Sequence, residues 1–393
     1  MSDPTRPPRI LFLTSHGMTL RLLMRGQLEE LAAHGWEVLA ASAPGDDLAE
    51  VAARPGVEAI PVPGLRRDIS PAADLAALVR LRRLLARHAP DLVVAGTPKA
   101  GLLGTLAARW AGVPRVLYVL RGLRLETAGG ARRRLLAACE RTASRAAHRV
   151  ACVSESLRRR YVELGLAAED KTLVVGDGSS NGVDVERFRP AAEAAPAATD
   201  PRLPVGAPVV GFVGRFTRDK GLVDLAALFF DRLLPRFPET RLLLLGDWEA
   251  GDPVPEAVRQ RLEGDPRVVR PGFVADTARW YRRMDVLAFP SHREGFPNAP
   301  LEAAASGVPV AGYAATGTVD AVADGTTGRL VPVGDREGLA AAIEAYLADP
   351  EHARRHGAAG RRRVVASFRD RDVWQAWRHL YAAELAAAGS RER

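Results

Sequence analysis

Two loops in the second half of this 393-residue chain carry side chains whose types and spacing could do chemistry. The first, Gly214-Arg215-Phe216-Thr217-Arg218-Asp219-Lys220-Gly221, follows the apolar run PVVGFV and places two cations, Arg215 and Lys220, just ahead of a helical pattern. That arrangement suits a diphosphate. An arginine fork chelates phosphate oxygens, a lysine adds a mobile point charge, and a helix N-terminus adds backbone donors. Without such a ligand the same pair reads as ordinary surface charge. The second loop follows DVLAFPS and runs Glu294-Gly295-Phe296-Pro297-Asn298-Ala299-Pro300-Leu301-Glu302, with Pro300 placed as a first-turn helix residue. Two carboxylates therefore bracket one tight turn. A carboxylate accepts paired hydrogen bonds from vicinal hydroxyls, which a ribose or a pyranose presents. Taken singly, Glu302 reads as an acid favoured by the helix dipole and Glu294 as a solvated loop charge. In the first half, Thr97-Pro98-Lys99-Ala100-Gly101 sits between the run DLVVAG and a helical pattern, another phosphate-friendly position. The chain has three lysines, Lys99, Lys171 and Lys220, against 52 arginines, so a retained lysine is informative. Lys99 reads either as an acceptor contact or as a helix-start charge.

Such loops need strands that end at one edge and helices that start there. RILFLTSHG, residues 9–17, reads as a strand and a glycine-containing loop, followed by one amphipathic stretch from Leu20 to His34. Apolar runs recur at WEVLAAS, DLVVAG, PRVLYVL, HRVACVS and KTLVV, alternating with Ala/Leu/Arg helical patterns, as a parallel sheet covered on both faces requires. A second series, PVVGFVGR, TRLLLLGD, DVLAFPS, VPVAGY and GRLVPVGD, repeats the scheme. The predicted organisation is a doubly wound first domain over 1–190, an Ala/Pro-rich linker over 191–206, a second doubly wound domain over 207–370, and a terminal helix within 371–393. That helix carries Val373, Trp377, Leu380, Tyr381 and Leu385 on one face.

The composition narrows the class. Hydrophobic residues at 47% and charged residues at 26% are globular values. No apolar stretch is long enough to span a membrane and residues 1–9 are polar, so a cytoplasmic protein is expected. Cys139 and Cys152 are too few for a disulfide framework or zinc set. The net charge of +8 is concentrated in residues 1–200, where 28 basic and 22 acidic side chains leave +6. Arg132-Arg133-Arg134 and Arg158-Arg159-Arg160 would attract an anionic membrane surface or an acidic substrate, or simply form solvated helix faces. Without aromatic interleaving or a reading motif, nucleic acid is not an expected partner.

GRFTRDKG followed by EGFPNAPLEA, with Asn181-Gly182-Val183-Asp184 before them, resembles the retaining glycosyltransferases of family 4, which have the GT-B fold: two Rossmann-like α/β domains facing across a cleft. The resemblance extends over nearly the whole chain. It implies that Gly214, Arg215 and Lys220 hold the diphosphate of a nucleotide-sugar donor, UDP-sugar by default, and that Glu302 binds the ribose. Glu294 would face the transferred sugar, and the backbone of Phe296, Pro297 and Asn298 would meet its ring. Gly272 and Phe273 would bracket the base, and Gly17 would approach the diphosphate through its backbone. Glu294, Arg215 and Lys220 would form the catalytic set. Cations and dipoles would replace a metal, so no metal or other cofactor is expected. Retention of configuration is likewise implied by the family.

Two departures bear on this. Many relatives carry His-Gly where this chain has Arg121-Gly122, so a histidine role does not transfer. Arg121 could contact an acceptor or a phosphate, or be an ion-paired structural residue, and His16 is a substitute contact or a hydrogen-bonded loop residue. Pro300 removes one amide from the helix start, which Leu301 and the helix dipole would compensate. Asp370-Arg371-Asp372 spells a metal-binding pattern of the other glycosyltransferase fold, yet it begins the terminal helix, where Asp caps are common. The acceptor would be a hydroxyl, on a lipid-linked glycan or a small natural product. A sugar-nucleotide epimerase and a non-catalytic nucleotide-sugar-binding subunit are the competing readings.

Overall fold

The computed structural model describes residues 6–65, 70–193, 197–272, 274 and 276–389. The chain divides into two compact units, one of residues 1–181 with 371–393, the other of residues 182–370. The exchange falls at Asn181/Gly182, earlier than the expected end at 190. Val183 donates its N–H to Phe368 O at 2.8 Å and its carbonyl accepts from Asp370 N at 3.1 Å, which ties this segment to the second unit. The described residues of 191–206 also fall in that unit, where Phe188 just before the stretch and Leu203 within it are buried in the core. These two anchors are what an Ala/Pro-rich composition hides.

In the first unit β1 (Arg9–Leu13), β2 (Glu37–Ser42), β3 (Val57–Pro61), β4 (Leu92–Gly96), β5 (Arg115–Leu120), β6 (Arg149–Cys152) and β7 (Thr172–Val174) form one parallel sheet. Its order is β3-β2-β1-β4-β5-β6-β7. Every residue of β4 and β5 is buried, the pattern of central strands covered on both faces. The stretch expected as one helix from Leu20 to His34 is two, Gly17–Leu23 and Gln27–Ala33. The break is at Gly26, whose φ of +80° suits glycine and whose absent side chain leaves room for the Trp374 ring. The helix Asp370–Gly389 buries Val373, Trp377 and Tyr381 in this unit, with Tyr381 edge-on to Phe12 at 5.7 Å. One turn on, Glu384 pairs with Arg115 at 2.7 Å, both side chains almost fully buried.

In the second unit β8 (Val209–Val213), β9 (Arg241–Leu245), β10 (Val268–Gly272), β11 (Val286–Phe289), β12 (Val310–Tyr313) and β13 (Gly328–Val331) form another parallel sheet. Its order is β10-β9-β8-β11-β12-β13. In both sheets the order reverses beside the first strand, between β1 and β4 and between β8 and β11. Loops leaving the carboxyl ends of such a pair diverge and open a crevice for ligand.

A polar cluster in the first unit has a pH signature. Glu140 Oε2 accepts hydrogen bonds from Tyr118 OH at 2.9 Å and Tyr161 OH at 3.0 Å, and Ser144 Oγ lies 2.7 Å from Tyr161 OH. Burial pushes the Glu140 carboxyl up from 4.5 to about 7, against the two tyrosine hydrogen bonds that favour its charged form. A carboxyl raised by folding stabilises the fold fully below its unfolded pKa. That contribution is lost as pH rises from about 4.5 through about 7. Glu140→Gln, which mimics the protonated form, should therefore be more stable than the parent at pH 8, by an amount on the order of 3 kcal/mol. The two should be similar at pH 4.5. Urea denaturation at both pH values checks this, and a difference of equal size at both would contradict it.

Candidate functional site

The loop after β8 and the loop after β11 meet side by side. Gly214 directly follows β8, and Arg215 projects from the turn, half-exposed and ion-paired with Glu249. Further on, Lys220 Nζ contacts Glu294 Oε1 at 2.5 Å, with both side chains largely buried. This pair joins the two loops. Beneath it, Gly221 lies so close to Pro290 that an added Cβ would be 2.0 Å from its carbonyl oxygen. Removing one partner from such an enclosed pair leaves an uncompensated charge, a loss of about 3–5 kcal/mol where burial is complete.

Asp219 sits among the cations. It accepts from Thr217 Oγ1 at 2.6 Å and pairs with Arg293 at 2.8 Å. Burial pushes its carboxyl up, but the Thr217 hydrogen bond and the charges of Arg293, Lys220 and Arg215 outweigh this and hold it below the usual range. One turn into the helix Leu222–Leu228, the buried Asp224 accepts from His292 Nε2 at 3.1 Å, Tyr313 OH at 3.0 Å and Arg336 Nε at 2.6 Å. The residues before Glu294 are thus clamped by carboxylates of the first loop and its helix. The sequence reading missed Arg293, Asp219 and Asp224, because their partners are 68 to 112 residues distant along the chain.

The helix Asn298–Ala305 starts directly after Pro297, with no side-chain cap at its N-terminus. Its first-turn amides at Asn298 and Ala299 remain for a ligand, while Pro300 has none and the Leu301 amide closes the first helical turn on Pro297. Leu301, expected to compensate for Pro300, turns its side chain into the core, where it is fully buried. Phe296 stacks at a tilt on Phe368, 5.3 Å between centroids, and anchors the loop from below. Gly317, which sequence reasoning also missed, holds the loop from the other side. Its φ is +76°, and an added Cβ would fall 2.2 Å from Gly295 O, so glycine alone fits. Glu294 N donates to Thr316 O at 3.2 Å beside it.

Glu302 lies a turn into the helix, where its Oε2 accepts from the buried Tyr281 OH at 2.9 Å. Burial pushes its carboxyl up against the opposing Tyr281 hydrogen bond and the Arg187 charge. Gly272 ends β10, where the ladder with β9 is irregular. Phe273 lies outside the described residues.

In the first unit the loops after β1 and β4 are tied by Ser15, whose Oγ is 2.7 Å from Thr97 Oγ1 and whose N–H donates to the same oxygen at 3.1 Å. His16 precedes the helix Gly17–Leu23, and its carbonyl accepts from Thr14 Oγ1 at 2.9 Å. No side chain would fit at Gly17, where a Cβ would lie 2.7 Å from Leu48 N and 2.8 Å from Asp47 Cβ. Lys99 is not a free first-turn charge: it pairs with Asp74 at 2.7 Å, both side chains largely buried. Arg121 reaches over Gly96 at the end of β4. Of the two basic clusters, Arg158, Arg159 and Arg160 are compensated by Glu155, Glu169, Glu163 and Glu126. Arg132 and Arg134 are exposed on the helix Gly130–Ala146. No helix among the described residues is long and apolar enough to cross a membrane.

Two cations from one loop, two carboxylates and an uncapped helix start from the next, at a reversal in strand order, are the group types that suit a phosphorylated polyol. Two family models match the chain. "Glycosyl transferase 4-like domain" matches residues 21–178 and "Glycosyl transferases group 1" matches residues 207–349. The capsular polysaccharide biosynthesis glycosyltransferase CapM of Staphylococcus aureus is 35% identical over 359 residues, 91% of this chain and 93% of that protein. The 2-deoxystreptamine N-acetyl-D-glucosaminyltransferase of Streptomyces fradiae is 33% identical over 405 residues, 95% and 92% of the two chains. Among solved structures, sucrose-phosphate synthase from Thermosynechococcus elongatus shares the fold at a TM-score of 0.80 and 24% identity, over 97% of this chain and 100% of that one. Anabaena HepE in complex with UDP and glucose does so at 0.77 and 20%, over 96% and 100%. With both halves matched and near-full-length relatives above 30% identity, the chain belongs to the group 1, family 4 glycosyltransferases of the GT-B fold.

Proposed function

We propose that this glycosyltransferase is a metal-independent, configuration-retaining hexosyltransferase that takes its sugar from a UDP-sugar and passes it to an acceptor hydroxyl held by the first unit. The observation that carries this reading is the Lys220–Glu294 pair, which brings a diphosphate-type loop and a sugar-type loop to one point. Arg215 and Lys220 neutralise the diphosphate as it leaves, helped by the amides that open the helix Asn298–Ala305. Glu302, oriented by Tyr281, accepts from the ribose hydroxyls, and Gly272 flanks the base. Glu294 faces the transferred sugar, as do the backbone groups of Phe296, Pro297 and Asn298. Gly17 approaches the diphosphate through its backbone, at a position where a side chain would collide with Asp47 and Leu48. HepE, solved with UDP and glucose, supports the choice of donor, and CapM supports polysaccharide assembly as the setting.

In the transfer, the acceptor oxygen bonds to the anomeric carbon while the bond from that carbon to the diphosphate oxygen breaks. The acceptor proton passes to the departing diphosphate. Glu294 is engaged by Lys220, so it is read as a sugar-orienting carboxylate and not as a covalent nucleophile.

Lys220→Ala or Glu294→Ala should reduce transfer by two or more orders of magnitude while far-UV circular dichroism stays native, because either change removes charge stabilisation formed at the leaving group or the sugar. Full transfer by either variant would overturn the assignment. The same assay in excess EDTA should lose no activity; a loss restored by a divalent cation would refute metal independence. The exposed Arg132 and Arg134 further suggest peripheral contact with an anionic membrane face. Sedimentation with phosphatidylglycerol vesicles should then fall when both are changed to Gln and when salt is raised, and equal sedimentation of the variant would dismiss the contact.

A further inference from the structure

Strand β5 carries an arginine at its start and another just past its end, and the two are treated differently. Arg115, at the start, is 6% exposed and forms the ion pair with Glu384 of the helix Asp370–Gly389. Arg121 follows the last residue of β5. The groups that act on it electrostatically are the tyrosines Tyr381, of the same helix as Glu384, and Tyr118, whose hydroxyl donates to Glu140. Among the described residues no carboxylate pairs with Arg121, and its Nε is enclosed without a hydrogen-bond partner. Burial pushes its pKa below the ordinary arginine value. Arg121 is partly exposed, so its Nε is shut away without a partner while the side chain as a whole can still take a ligand.

Its position says which ligand. The guanidinium occupies the space beside Gly96, where an added Cβ would be 2.1 Å from Nη1. Gly96 ends β4, and the next residue, Thr97, holds φ at +70°, an unusual conformation for a non-glycine that the Ser15 hydrogen bonds fix. The thirteen-residue helix Pro98–Trp110 begins there, and its first-turn amide at Ala100 is already taken by Ser15 Oγ at 3.2 Å. The guanidinium, and not the helix start, is therefore the donor this edge offers at the carboxyl ends of β4 and β5, a ligand edge of the sheet. Arginine's planar donors match the oxygens of a phosphate.

We propose that Arg121 is the recognition residue for a phosphate group on the sugar-accepting substrate, so that the acceptor is a phosphate or diphosphate ester. This rests on the reading that the first unit holds the acceptor. A phosphate at this residue could also belong to the donor, and the test separates the two sources.

Inorganic phosphate is titrated at constant ionic strength into the full chain saturated with UDP, and binding is followed by calorimetry and by thermal shift. The parent should bind phosphate under these conditions. Arg121→Gln should weaken that binding at least tenfold, with a melting temperature equal to or above the parent's because no partner is orphaned. Lys220→Ala should bind phosphate as the parent does. Failure of the UDP-saturated parent to bind, unchanged binding in Arg121→Gln, or loss in Lys220→Ala instead would each overturn the proposal. So would a large fall in the melting temperature of Arg121→Gln, which would mark a structural residue. No transfer is measured, so failure here is distinct from failure of the donor-loop assignment.

Discussion

One ion pair joins the two ligand-edge loops of the second unit. Lys220 and Glu294 lie 74 residues apart in the chain, yet their side chains meet at 2.5 Å where the loops after β8 and β11 run together. An exposed pair of this kind would contribute at most about 1 kcal/mol. This one is largely enclosed, so each charge depends on the other, and the geometry of both loops follows. Glycines make the approach feasible: Gly221 lets the first loop pass under Pro290, and Gly317 lets its own loop lie against Gly295. Asp219 and Asp224 then fasten Arg293 and His292, so that the segment leading into Glu294 has little freedom. Under the function proposed above, such pre-organisation leaves no reorientation of these charges for the reaction step.

The parallel architecture explains why the site forms where it does. Each sheet reverses its order beside its first strand, and the chemistry-bearing loops leave from the strands on either side of that reversal. In the first unit the same topology gathers Ser15, Thr97 and Arg121. There the charge balance differs: Lys99 is satisfied by Asp74, and Arg115 by Glu384, whereas no carboxylate among the described residues pairs with Arg121. The two units thus present chemically different edges, one with cations and carboxylates interleaved, the other with a solitary guanidinium.

Much of this was legible in the sequence, for a physical reason. Central parallel strands are buried on both faces, so they appear as unbroken apolar runs such as DLVVAG and PRVLYVL, and the loops that follow them mark the ligand edge. Arg215, Lys220, Glu294 and Glu302 stand in those loops and could be picked out by type and spacing. What was not legible depends on partners distant in sequence. Nothing local announces that Lys99 meets Asp74, that Glu302 is oriented by Tyr281, or that Arg293 is held by Asp219. The break at Gly26 depends on Trp374, and the unit boundary at 181/182 on a backbone pairing of Val183 with Phe368 and Asp370. Periodicity reports which face is apolar, not which distant residue will pack on it.

Under the proposed function Lys220 and Glu294 act as one unit in holding the donor. A double-mutant cycle on UDP-sugar affinity tests it most directly, with Lys220→Met, Glu294→Gln and the double variant measured by calorimetry. If the pair positions both loops, the double variant should bind about as weakly as the worse single variant, leaving a coupling energy above about 1 kcal/mol. Strictly additive losses would show that the two residues contact the donor independently, and would contradict the account.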